Sequence, residues 1–301
     1  MSESQTRCGF VAIIGAPNAG KSTLLNSLVG AKIAIVTPKV QTTRARMLGI
    51  ALAGESQIVF IDTPGIFAPR RRLDRAMVHA AWSGAADADL VVLIVDAARG
   101  ISEDVAPIVE GLRAAKRRIV LALNKIDAIK DRSRLLTLAE DLNARLAPQA
   151  VFMVSALTGD GVDDLKTWLA NAVPPGPWLY PADQLSDVAQ RLMAAEITRE
   201  KLYLRLHQEL PYAAMVETES WHAAKEGSVR IEQVIYVERD SQKGIVIGKG
   251  GRQLKAIGAA ARADMEQAFG CRVHLFLHVK VDPRWSESRE RYGAMGLDWT
   301  A

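Results

Sequence analysis

Apolar residues occur along the chain in short runs separated by longer stretches of mixed pattern. FVAIIGA at 10–16 is an apolar run closed by glycine, the pattern of a buried strand. LLNSLVG follows with helical spacing. Similar runs recur as IVFID at 58–62, LVVLIVD at 90–96, RIVLALN at 118–124 and AVFMVS at 150–155, and helix-length segments separate them. Strands alternating with helices predict a mixed, mostly parallel sheet covered by helices on both faces. RMLGIALAG at 46–54 adds a strand that turns at Gly54-Glu55 into 56–62, which makes this one pair antiparallel.

The pattern changes after Val173. VPPGPWLYP holds four prolines and a glycine, cannot continue a helix and reads as a linker over 174–183. Beyond it lie a helix pattern over 184–208 and two alternating stretches, AAMVETESWHA and SVRIEQVIYVERD, with a turn around Lys225-Glu226-Gly227. A helix near 251–269 and a last strand, CRVHLFLHVKV, complete the chain's regular pattern. An α/β domain over 1–173 and a small α+β module over 184–301 are therefore expected.

Composition narrows the class only a little. With 301 residues, 49% hydrophobic and 24% charged, the chain is ordinary for a globular protein of two domains. It has no apolar run of about 18 residues, so no spanning helix is expected, and the polar MSESQTRCG gives no expectation of a signal peptide. Cys8 and Cys271 match no metal spacing, which fits free thiols in a reduced cytoplasmic setting. The net charge of +4 does not by itself point to nucleic acid, but its distribution does. Between Ser241 and Ala263 lie Lys243, Lys249, Arg252, Lys255 and Arg262, with no acidic residue among them.

Two glycine-rich loops carry the chemistry. Gly15-Ala16-Pro17-Asn18-Ala19-Gly20-Lys21-Ser22 fits G-x-x-x-x-G-K-[ST], placed after a strand and opening a helix. Backbone N–H groups converge there on phosphate oxygens, aided by the helix dipole. Lys21 is suited to the β- and γ-phosphates and the Ser22 hydroxyl to Mg²⁺. Asp62-Thr63-Pro64-Gly65 ends a strand, where Asp62 can hold Mg²⁺ through water and the Gly65 N–H can sense a γ-phosphate. Asn124-Lys125-Ile126-Asp127 ends another, and Asp127 can accept the N1–H and 2-amino hydrogens of guanine. Adenine lacks both donors, so such a carboxylate discriminates strongly between the bases. Ser155-Ala156, after the last strand of this domain, offers a backbone N–H to the guanine O6.

These four pieces, in order over 10–173, resemble the translation-factor-related GTPases. The resemblance implies GTP with Mg²⁺ and hydrolysis to GDP and phosphate. It also implies a second threonine ligand to Mg²⁺ from VQTTR, Thr42 or Thr43, with Thr43 preferred. Thr23 and Leu157 extend the nucleotide-facing segments. Many GTPases carry a glutamine after the D-x-x-G glycine to orient water; here Ile66 stands there, so a slow intrinsic rate is expected. In the related group with the G-x-P-N-x-G-K-S loop, the asparagine, here Asn18, is associated with a bound K⁺.

The second loop, GIVIGKGGRQL, lacks a hydroxyl for Mg²⁺. Its Gly248-Lys249-Gly250-Gly251 core resembles the G-x-x-G clamp of the KH RNA-binding module, in its bacterial, type II element order. Lys243, Gly244, Ile245, Ile247, Gly248, Lys249, Gly250, Gly251, Arg252 and Lys255 are the residues expected to meet RNA. A GTPase joined to a KH module resembles the Era family. GAPNAGKSTLLN, VTPKVQTTR, DTPGI, NKID and SAL carry the likeness in the first half, and AAEITREKLYLRLHQELPYA and GIVIGKGGRQLKAIG in the second. That resemblance implies a monomer in the cytoplasm, partly peripheral at the inner membrane, that binds the 3′ end of 16S ribosomal RNA and acts in 30S subunit assembly. A competing reading, an RNA-binding protein with a catalytically idle nucleotide domain, draws on Ile66.

Overall fold

The computed structural model describes residues 6–39, 42–44, 47–186, 190–206, 210–224 and 226–300. Several positions named above lie outside them: Val40 and Gln41 of VQTTR, residues 187–189 and 207–208 of the helix pattern over 184–208, and Lys225 of the turn. The chain divides into two compact units. One comprises Met1–Ala34, Thr43–Asp187 and Met295–Ala301, and the other Ile35–Thr42 and Val188–Ala294.

The first unit is built from β1 (Arg7–Ile14), α1 (Lys21–Val29), β2 (Met47–Ala53), β3 (Ser56–Asp62), α2 (Arg72–Asp87), β4 (Leu90–Asp96), α3 (Ala106–Ala115), β5 (Ile119–Asn124), α4 (Ser133–Leu146), β6 (Ala150–Val154) and α5 (Val162–Ala172). The sheet order is β2-β3-β1-β4-β5-β6. Only β2 runs antiparallel, pairing Met47 with Asp62 and Ala53 with Ser56. The turn between these strands needs the left-handed φ of 57° that Gly54 supplies.

Central strands are buried on both faces, which is why they read as continuous apolar runs rather than alternations. Ala12, Val91, Leu93 and Leu121 pack in one cluster with Ala81 of α2, Ile108 of α3 and Leu142 of α4. α1 and α5 pack against each other and against β2 and β3. Each fully buried Leu or Ile contributes about 1.5–3 kcal/mol, so this core fixes the sheet firmly. Because β1, β3, β4, β5 and β6 are parallel, the loops that follow them leave from one edge. Ligand sites of such sheets lie beyond the carboxyl ends of the strands.

The proline-rich stretch expected to link the domains is fastened into the first unit over its first part. The buried Gln57 side chain accepts the N–H groups of Leu179 (2.9 Å) and Tyr180 (3.0 Å) and donates to the Tyr180 carbonyl (2.8 Å). Cys8 N–H donates to the Pro174 carbonyl, Gly176 N–H to that of Thr6, and the Trp178 indole to that of Glu55.

The second unit contains α6 (Gln190–Arg205), β7 (Ala214–Ala223), β8 (Val229–Val237), α7 (Asp240–Ile247), α8 (Arg252–Phe269), β9 (Val273–Val281) and α9 (Arg289–Ala294). Its sheet runs β7-β8-β9, with β7 antiparallel and β9 parallel to β8. Leu202 of α6, Ile235 of β8, Val246 of α7 and Ile257 of α8 share one core. The segment before the second glycine loop is helix α7. Ile35–Thr42 belongs to this unit: Val36 N–H donates to Glu200 (2.9 Å), Lys39 donates to the Tyr203 and Leu206 carbonyls, and Arg199 to that of Thr42. Arg199 also forms a buried ion pair with Glu196. Among the described residues, no helix is long and apolar enough to cross a membrane.

Candidate functional site

The first loop runs from the end of β1 to the start of α1. Two of its residues hold left-handed backbone, Asn18 at φ 62° and Gly20 at φ 103°. Close approach also demands glycine here. A Cβ on Gly15 would overlap the Ile94 carbonyl, and one on Gly20 the Asn124 carboxamide. Lys21 is 7% exposed, and its ammonium donates to the carbonyls of Gly15 (3.1 Å) and Ala16 (2.9 Å). Burial pulls its pKa down to about 8, against the opposing pull of Asp62.

Ser22, Thr43 and Asp62 come together beside this lysine. The Ser22 and Thr43 hydroxyl oxygens lie 2.8 Å apart, and each lies 3.2 Å from Asp62 Oδ2. Asp62 is fully buried, and its Oδ1 has no hydrogen-bond partner among the described residues. Burial pushes its pKa up to about 6, while Lys21 and the hydroxyls pull the other way. A magnesium ion fits this set: three hard oxygen donors, one on an otherwise unpartnered buried carboxylate. Thr42 faces elsewhere, its hydroxyl bonding Thr37 (2.7 Å) and the Lys39 carbonyl (2.7 Å).

Beyond β3, Thr63 Oγ1 donates to the Ile13 carbonyl (2.9 Å), and Pro64 and Gly65 are buried. A Cβ on Gly65 would stand 3.2 Å from Pro17 and 3.3 Å from Lys21 Nζ, a tight approach that would make these neighbours give by a few tenths of an ångström. Ile66 donates its N–H to the Gly15 carbonyl (3.2 Å) and turns its side chain into the core. Burial there, beyond the lack of a polar group, keeps it from orienting water.

The other end of the loop is braced from β5 and β6. Asn124 donates to the Ala19 carbonyl (2.8 Å) and accepts the Ala156 N–H (2.9 Å). The N–H expected to face a base O6 is thus engaged with Asn124. Ser155 Oγ donates to Asp127 (2.6 Å), which fixes that carboxylate, and Leu157 is exposed. The Lys125 ammonium donates to the Asn18 carbonyl and to Asp96, both at 2.7 Å. Asp96 was not singled out from the sequence; the available signal was an acid closing an otherwise apolar strand.

The second loop is open by contrast. Gly248, Gly250 and Gly251 have φ of 71°, 61° and 74°. A Cβ would meet nothing within 4 Å at Gly244, Gly250 or Gly251. Ile245 is 58% exposed while its neighbour Val246 is fully buried, and Ile247 and Lys243 are half-buried. Lys249, Arg252 and Lys255 are exposed where α8 begins. A helix N-terminus with basic side chains and bare backbone can take phosphates.

Fold and loops together define a GTPase of the phosphate-loop class that carries a KH module. Residues 10–125 match the family described as 50S ribosome-binding GTPase, and residues 209–286 the KH domain family. GTPase Era of Dinoroseobacter shibae is 59% identical over 297 residues, 98% of this chain and 96% of that protein. GTPase Era of Rhizobium meliloti is 60% identical over 294 residues, with 98% and 94% covered. A crystal structure of Era in complex with MgGDPNP and nucleotides 1506–1542 of 16S ribosomal RNA matches with a TM-score of 0.91 at 35% identity, covering 97% of this chain and 99% of that one. An Aquifex aeolicus Era variant bound to GDP and AlF4⁻ matches with the same TM-score, identity and coverage. The chain belongs to the GTPase Era family.

Proposed function

We propose that the chain is a GTP-hydrolysing switch of small-subunit assembly, with a nucleotide site over Gly15–Thr23, Thr43, Asp62–Gly65, Asn124–Asp127 and Ser155–Leu157. The observation that carries this reading is the buried cluster of Ser22, Thr43 and Asp62 oxygens beside Lys21. Lys21 exchanges its loop carbonyls for β- and γ-phosphate oxygens. Ser22 and Thr43 would hold Mg²⁺, with Asp62 assisting through water. When bound, the ion neutralises charge on the β- and γ-phosphates. The Gly65 N–H meets the γ-phosphate. Asp127, oriented by Ser155, accepts the guanine N1–H and 2-amino group, and the contact from the Ser155–Leu157 backbone to O6 requires the Ala156 N–H to leave the Asn124 side chain.

With Ile66 in the core, this reading leaves intrinsic hydrolysis slow. Asn18 would hold K⁺, which would supply positive charge beside the phosphates. Single-turnover hydrolysis in matched K⁺ and Na⁺ buffers should be faster in K⁺; equal rates would remove the K⁺ part.

The KH domain, from 184 to 301, takes the 3′ end of 16S ribosomal RNA at Lys243–Lys255 and acts on the 30S subunit. The description of the matched GTPase family names the 50S subunit, but the solved Era complex contains 16S RNA and matches nearly the whole of both chains. We place the protein as a monomer in the cytoplasm, partly peripheral at the inner membrane. Single-turnover GTP hydrolysis with and without the 16S 3′-end RNA tests the switch. A rate unmoved by saturating RNA would leave two independent binding modules instead.

A further inference from the structure

We infer that Asp96 is a positioning residue for the nucleotide site: its carboxylate fixes the Lys125 ammonium on the Asn18 carbonyl and so holds the phosphate loop in its binding shape. This rests on the nucleotide-site reading above, in which nothing assigns Asp96 a part.

Among the described residues, four other than glycine have left-handed φ: Asn18, Lys116, Lys125 and Ala147. Lys116 and Ala147 are the C-caps of α3 and α4, where that conformation is ordinary. Asn18 and Lys125 close no helix; asparagine tolerates that backbone, whereas for Lys125 it is a disfavoured one that its surroundings must hold in place. One hydrogen bond joins them, from the Lys125 ammonium to the Asn18 carbonyl. Next along each chain segment, Asn124 grips the Ala19 carbonyl. Consecutive loop carbonyls are thus held by consecutive side chains after β5. A peptide unit is planar, so pinning a carbonyl also sets the direction of the N–H that shares its plane.

The lysine cannot do this alone. Its side chain is 38% exposed and flexible, and its ammonium is easily lost to water. Asp96 is the more buried partner, at 12%. Its own aim is fixed: Oδ1 accepts the Ala98 N–H (3.0 Å), and its carbonyl accepts those of Arg99 (3.1 Å) and Gly100 (2.9 Å). It stands opposite Asn124 in the β4–β5 register, and Ala97 N–H donates to the Asn124 carbonyl (2.9 Å). The carboxylate therefore sits on the same rigid strand ends as the residues it serves.

The test is mant-GDP affinity of the full chain in a double-mutant cycle of Asp96→Asn and Lys125→Met. The amide is isosteric and keeps the Ala98 bond through its oxygen, but turns a donor toward the ammonium. Asp96→Asn should weaken mant-GDP binding about tenfold in the wild-type background, as expected for loss of a charge-assisted bond. It should weaken binding less than about twofold in the Lys125→Met background, with preference for GDP over ADP retained. Unchanged affinity in Asp96→Asn, or equal losses in both backgrounds, would overturn the inference. If the amide variant does not fold, Asp96→Ser, which keeps an acceptor for Ala98, is read the same way. Absence of mant-GDP binding by the wild-type protein would instead sink the underlying site reading.

Discussion

The two glycine loops differ in what their glycines are for. In the first, Gly15 and Gly20 make room for the protein itself, for the Ile94 carbonyl and the Asn124 side chain. In the second, Gly250 and Gly251 face open space and answer only to backbone angle. The first loop is thus braced by the protein itself, from β4, from the end of β5 and, through Asn124, from the segment after β6. The second is a bare platform whose specificity must come from what lands on it. Preorganised donors favour tight, exacting recognition. An open, basic, glycine-rich backbone favours a phosphate chain and a strong dependence on salt.

This contrast orders the expected effects of mutation. Gly20→Ala should be the most damaging. It places a Cβ on the Asn124 carboxamide at φ 103°, and GDP affinity measured by fluorescence should fall by more than ~100-fold. Asp127→Asn should lower the preference for guanine over adenine nucleotides by about 100-fold, seen in competition binding, with RNA affinity unchanged. Replacing both Lys249 and Gly250 by aspartate should lower affinity for the 16S 3′-end RNA at least ~30-fold while GDP binding holds and the melting temperature falls by no more than a few degrees, since a Cβ at 250 meets nothing within 4 Å and carries only left-handed backbone strain. Gly250→Ala should be mild: left-handed strain of about 1 kcal/mol, read as a melting shift of a few degrees, and no steric clash. Smallest of all, Lys255→Ala should reduce the slope of log affinity for RNA against log salt by about 1, with equal effect across RNA sequences. A Gly250→Ala variant as damaged as Gly20→Ala would erase the distinction between the loops.

The sheet was readable in the chain because buried parallel strands leave uninterrupted apolar runs, and β4, LVVLIVD, is the plainest. The motif residues could be placed because Asp62, Asn124 and Ser155 sit where such runs end and Lys21 opens the helix after the first of them. Other features depended on tertiary pairings that local pattern does not encode. Thr42 and Thr43 are chemically alike and adjacent; only folding separates a hydroxyl that joins Ser22 and Asp62 from one that closes a turn on Lys39. The helical state of Asp240–Ile247 is not legible locally, because its short apolar stretch Ile245–Ile247, flanked by Gly244 and Gly248, fits both periods. The grouping of Ile35–Thr42 with the second unit rests on Arg199 and Glu200, charged residues buried inside a helix pattern that gave no hint of their partners.

The fastening of Pro174–Tyr180 bears on how the protein can be divided in the laboratory. A fragment that stops at Val173 strips Gln57, a fully buried amide, of the Leu179 and Tyr180 groups it serves. Orphaned polar groups of that kind cost about 1–3 kcal/mol each. A piece extended to Ser186 keeps them, together with the pairing of Ser186 with Gly49 on the outermost strand. The proline run, which looks like the natural place to cut, is therefore the wrong one.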